Sequence, residues 1–116
     1  MKLSDENRRI LISSLHEMMD KYSTHNASSF ITGSSEIKPA STEEQKAFQL
    51  IQGNKDIASL LQRLLWFHGK SLMFDLFCLI DGVGDPDPKL GNWTEVLLID
   101  KPEGFNEHYE FLHDEL

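Results

Sequence analysis

Leu11, Leu15, Met18 and Tyr22 recur at helical spacing, and Ile12 and Met19 widen the apolar stripe they form. Ser4 precedes them as a cap, with Asp5 and Glu6 against the positive end of the dipole, so a first helix is expected over about 5–22. Residues 23–41 are rich in Ser, Thr, Asn and Gly, with only Phe30-Ile31-Thr32 and Ile37 as apolar anchors. They read as a long connection with room for one short strand near 29–32, closed by Pro39. Ser41-x-x-Glu44 and Thr42-x-x-Gln45 are overlapping capping boxes ahead of Ala47, Phe48 and Ile51, which predicts a short helix over 43–52 stopped by Gly53.

Ile57, Leu60, Leu61, Leu64, Leu65 and His68 keep the i, i+3, i+4 pattern in register, so a third helix is expected up to a break at Gly69. The run Leu72 to Ile80 is apolar on all sides except at Asp75, so periodicity alone does not separate a buried helix from a buried strand. Its Leu and Met content favours helix. Gly82, Gly84, Pro86, Pro88 and Gly91 then mark a loop, and Trp93 to Asp100 reads as a strand closed by Pro102 and Gly104. Phe105, Tyr109 and Leu112 lie on one face of a final amphipathic segment, which predicts a terminal helix over 105–116. A strand over 93–100 needs a pairing neighbour, and the candidates are residues 29–37, the 72–80 run or another chain. The expected fold is mainly α with a small β element (α+β): one compact domain of four to five helices plus one or two short strands.

At 116 residues and 40% hydrophobic content, the chain is the size of a single domain and can form a core without disulfides or metal. The one cysteine, Cys78, sits in an apolar run without neighbouring cations, which suits a structural thiol in a reducing cytosol. The N-terminal residues have no apolar signal region and no stretch is long enough to span a bilayer, so a cytoplasmic location is expected. On that expectation the closing His113-Asp114-Glu115-Leu116 and the glycosylation-like Asn26-Ala27-Ser28 and Asn92-Trp93-Thr94 are coincidences.

Charge changes the picture more than composition does. The net charge is -8, yet residues 1–70 hold nine Lys/Arg against eight Asp/Glu, and residues 71–116 hold two against eleven. An acidic surface repels phosphate backbones and anionic headgroups, so neither nucleic acid nor membrane is an expected partner. A basic protein is.

Catalytic chemistry finds little support. His16 and Asp20 stand where a zinc-protease helix would carry two histidines, and His108 and His113 diverge too far on a regular helix to share a metal. The loop Asp81-Gly82-Val83-Gly84-Asp85-Pro86-Asp87 gathers three carboxylates but lacks the alternating order and closing glutamate of a calcium loop. No nucleophile elbow, phosphate loop or dinucleotide fingerprint is present. The expectation is a non-enzyme without catalytic residues, metal or cofactor, the alternatives being a small metal-dependent hydrolase on the Asp81–Asp87 loop or a homo-oligomeric adaptor pairing its strand across a two-fold axis.

In size, charge asymmetry and the stretch Leu79-Ile80-Asp81-Gly82-Val83-Gly84-Asp85-Pro86, the chain resembles, in general build, bacterial toxin-immunity proteins of the contact-dependent or polymorphic toxin type. The resemblance implies a stoichiometric inhibitor, monomeric or homodimeric, that covers the active site of a basic toxin domain such as a nuclease. Such proteins share no common signature that assigns residues. The candidate contacts are therefore the local acids Asp81, Asp85, Asp87, Glu95, Asp100, Glu103 and Glu107 around the aromatic anchors Trp93 and Tyr109.

Overall fold

In a computed structural model, residues 2–106 and 111–116 are described. Three α-helices, α1 (Asp5–Thr32), α2 (Thr42–Ile51) and α3 (Lys55–Ile80), carry the regular structure, followed by single 3₁₀ turns at Pro88–Leu90 and Leu112–Glu115. The α+β expectation is overturned: among the described residues there is no strand, and three helices replace the expected four to five.

The start of α1 follows from its cap, with the Ser4 hydroxyl accepting from the Asn7 amide at 3.2 Å and Asp5 and Glu6 filling the first turn. Its length does not follow from the apolar stripe. The helix continues ten residues beyond Tyr22 through Ser23 to Thr32, where Gly33 at φ 81° ends it with amides bonded back to Phe30 and Ser29 carbonyls. This segment is small and polar because it is a close packing surface: Ser23, Ala27 and Ile31 are the chain's buried residues among those described. Ser23 and Ala27, small side chains four residues apart, let α3 approach α1, and Ile31 one turn further on fills the end of the seam.

The two long helices run antiparallel. Asp20 accepts the Trp66 indole N–H at 2.8 Å, and the Gln62 amide donates to the Ser23 hydroxyl at 3.1 Å. Nearer the chain's start, Gly69 faces Met19, whose Cγ would lie 3.5 Å from a Cβ built at that glycine. The residue expected to break the third helix is therefore an interior position where the partner helix crosses closely, and 57–69 and 72–80 are one continuous helix. The His16–Asp20 pair belongs to the same seam, since the His16 and Trp66 rings lie 6.3 Å apart.

At the turn of this hairpin, α2 acts as a clip. Ser41 caps it by accepting from Glu44 N–H at 3.1 Å, while the Glu44 carboxylate reaches back to Ala40 N–H. The Phe48 ring meets Phe30 edge-on at 5.4 Å, and the Gly53 amide donates to the Ile31 carbonyl at 3.0 Å. Asn54 then starts α3 by accepting from both Asp56 and Ile57 amides.

The molecule is elongated rather than compact. Its radius of gyration is 19.1 Å and its extents are 54 × 35 × 28 Å, against about 13 Å for a compact domain of this length. The expected core is correspondingly thin. Leu60, Leu64, Phe67 and Phe74 on α3 point away from α1 and stand more than half exposed. Among the described residues, no helix is long and apolar enough to cross a membrane.

Candidate partner-binding surface

Residues 81–116 contain two lysines against ten carboxylates, which accounts for the whole net charge of -8 and leaves residues 1–80 balanced. This acidic part follows the C-terminal end of α3 and, among the described residues, is irregular apart from the two 3₁₀ turns. Asp81 is the C-cap of that helix, its amide bonded to the Phe77 carbonyl at 2.7 Å, and Gly82 at φ 73° turns the chain away. The Val83 and Gly84 amides then fold back onto the Cys78 carbonyl. Cys78 is thus half-buried under the turn rather than enclosed in a core.

Asp87 has a local role. Its carboxylate accepts from Lys89 N–H at 2.9 Å and caps the 3₁₀ turn that begins at Pro88. Asp85 and Glu103 are exposed, and Trp93 keeps 38% of its surface accessible. Glu95 adopts φ 72°, a left-handed conformation that non-glycine residues rarely take. The reversal lays its carboxylate over the end of α3, where a Cβ built at Gly82 would stand 3.5 Å from Oε1. Asp81 and Glu95, twelve residues and more apart in sequence, are thereby brought to the same helix terminus.

That terminus is electrostatically mismatched. A helix C-terminus carries partial negative charge from its free carbonyls and favours cations, yet the last turn of α3 contains no basic residue and is met by two carboxylates.

The expected strand at 93–100 is an irregular segment outside any sheet. Its candidate partners are otherwise engaged, since 29–32 belong to α1, 33–37 form turn and bend and 72–80 belong to α3, and one backbone bond, from Asp100 N–H to the Lys2 carbonyl, ties the segment to the start of the chain. Leu97 and Leu98 instead line a groove of about 590 Å³ at the open end of the hairpin, with Leu11, Ile12, Phe77 and Ile80 as its apolar part and Lys2, Arg8 and Asp81 as its charged part. Leu97 nevertheless remains 72% exposed, so the strand interior does not supply core as expected.

Asp100 fastens this segment. Its carboxylate accepts from Ser4 N–H at 3.0 Å and from the Asn7 side chain at 2.8 Å, and its amide donates to the Lys2 carbonyl at 3.1 Å. The Ser4 backbone bond first, and then the Asn7 bond, hold its carboxyl below the usual range. Asp100 is thus committed within the chain, whereas Asp85 and Glu103 point to solvent. Sequence reasoning read Ser4 only as a cap and gave Asn7 no role; neither spacing nor composition signals a bond across more than ninety residues.

Of the expected terminal helix, Phe105 lies in a turn closed by its amide on the Pro102 carbonyl, with Gly104 at φ 76°, and Leu112–Glu115 is 3₁₀. Glu107 and Tyr109, with their neighbours His108 and Glu110, lie outside the described residues. Val83 and Leu90, to which no sequence pattern assigns a role, stand 77% and 82% exposed among the acids. Among the described residues, no group of three or more His, Cys, Asp or Glu side chains could hold a metal ion. No family model, curated protein or solved structure matches the chain at a significant level.

Proposed function

We propose that this chain is a binding protein for a basic protein partner, and that its acidic segment from Asp81 to Glu103 is the contact surface. The observation that carries this reading is the placement of Asp81 and Glu95 at the negative pole of the α3 dipole, whose own last turn holds no basic residue. Such placement opposes local stability, and a lysine or arginine supplied by a partner relieves it. Exposed Val83, Leu90, Trp93 and Leu97 lie interspersed with the carboxylates along the same segment and provide the apolar contact that charge alone does not.

The biological form of this reading is a cytosolic immunity protein that covers the active site of a basic bacterial toxin domain, a nuclease being the natural candidate because carboxylates can occupy phosphate positions. The test is to identify the gene adjacent to this chain's and, where it encodes a toxin domain, to co-express the two. Protection of growth by the native chain, lost on combined Asp85→Lys, Asp87→Lys and Glu95→Lys substitution with the helices intact by circular dichroism, is the expected result. No protection by the native chain would sink the immunity reading, and full protection by the triple variant would move the surface elsewhere.

A further inference from the structure

We infer that α3 is the seam of a parallel homodimer, with a second copy of this chain packed against its outer face. Leu60, Leu64, Phe67, Ser71 and Phe74 follow one another at spacings of four, three, four and three, the alternation by which two helices keep a continuous contact line. All five point away from α1 and are exposed, the four large side chains by 62%, 62%, 63% and 66%. A helix that needed only its α1 contact would be polar here.

The surface area points the same way. The chain exposes 10138 Å² at 13.3 kDa, whereas a compact monomer of that mass exposes about 6,500 Å². The excess, about 3,600 Å² per chain, is more than the roughly 1,000–2,500 Å² that each partner of an obligate dimer loses, so a second copy on α3 takes up only part of it. The four large side chains contribute roughly 500 Å² per protomer, and their charged flanks bring the stripe towards the ~800 Å² per partner of a stable interface.

Charge selects both the occupant and its direction. With Leu60, Phe67 and Phe74 in one core position and Leu64 and Ser71 in the other, Arg63 and Lys70 flank one side of the stripe and His68 and Asp75 the other. In a parallel pair each flank meets the opposite flank of the second helix, five residues on, so Lys70 meets Asp75 of the second copy and Arg63 meets His68. In an antiparallel pair the Arg63–Lys70 flank meets itself and repels. Unlike the acidic segment, α3 carries three Lys/Arg against two Asp, so the seam itself is not net negative. Among the described residues neither Arg63 nor Asp75 has an ion-pair partner within the chain.

Light scattering and sedimentation across micromolar concentrations measure the mass. The expected result for the native chain is twice 13.3 kDa, with Phe67→Glu shifting it to the single mass. Because Phe67→Glu could also unfold the chain, a charge exchange supplies the second arm: Lys70→Asp weakens the dimer at least tenfold and Lys70→Asp with Asp75→Lys restores it. Orientation is read by oxidative crosslinking of Ser71→Cys in a Cys78→Ser background, which links two copies in a parallel pair because position 71 faces itself. A single mass at all concentrations overturns the inference and leaves the stripe to another protein. A dimer that the charge exchange leaves unmoved, or that fails to crosslink at position 71, overturns the parallel α3 seam.

Discussion

The helical hairpin and the acidic segment that follows it obey different rules. Across the α1–α3 seam the polar groups named above are partnered: Trp66 has Asp20, Gln62 has Ser23, and the helix starts are closed by Ser4 and Asn54. Beyond Ile80, among the described residues, the carboxylates outnumber their intramolecular partners, apolar side chains face solvent, and Glu95 takes a backbone conformation that costs energy. The first region is organised to hold a shape. The second is held by few contacts of its own, and on the proposed partner-binding reading the contrast separates substitutions that cost stability from those that cost recognition.

The largest effect on the hairpin side is expected at Ile31, 3% exposed in the α1–α3 seam. Ile31→Ala should destabilise the fold by about 2–4 kcal/mol, measured by urea unfolding. Ser41→Ala removes the α2 cap and should cost about 1 kcal/mol, appearing first as faster amide exchange within Thr42–Ile51. Asp81→Asn runs the other way: relieving the charge at the α3 terminus should raise stability by about 0.3–1 kcal/mol while slowing partner association. A loss of stability there would show that Asp81 belongs to the scaffold.

Asp100 joins the two regions, and its effect is the most local. Its folded carboxyl titrates below its unfolded value, so the fastening is fully present above the ordinary aspartate pKa of about 3.9 and is lost as pH falls through the lower folded one. Protection of the Ser4 and Asp100 amides, measured relative to the intrinsic exchange rate at each pH, should fall on acidification through that window, and Asp100→Asn should abolish this pH dependence without melting the helices.

Much of the hairpin was legible because it rests on local chemistry. Ser4, the Ser41–Glu44 capping box and the Leu60–Leu65 periodicity each appear where the sequence places them. The errors share a cause. Ser23, Ala27 and Gly69 look like loop or break residues, yet they are small because two helices cross closely at those positions, and closeness of crossing is a tertiary property. Trp93 to Asp100 has strand composition, but a strand is a relation between two segments and the second is missing among the described residues. For the candidate surface, the acids themselves were evident from the charge count. What the sequence concealed was their division into Asp100, fastened to the start of α1, Asp87, capping a turn, and Asp81 and Glu95, gathered at the end of α3.

If the exposed carboxylates beyond Ile80 steer a basic partner as proposed, the most direct measurement is the association rate with a candidate basic toxin domain as a function of ionic strength. The expected rate falls steeply from low to physiological salt for the native chain, and is slow and nearly salt-independent for the Asp85→Lys, Asp87→Lys, Glu95→Lys variant. A native rate indifferent to salt, or a triple variant that associates as fast as the native chain, would contradict the proposed steering.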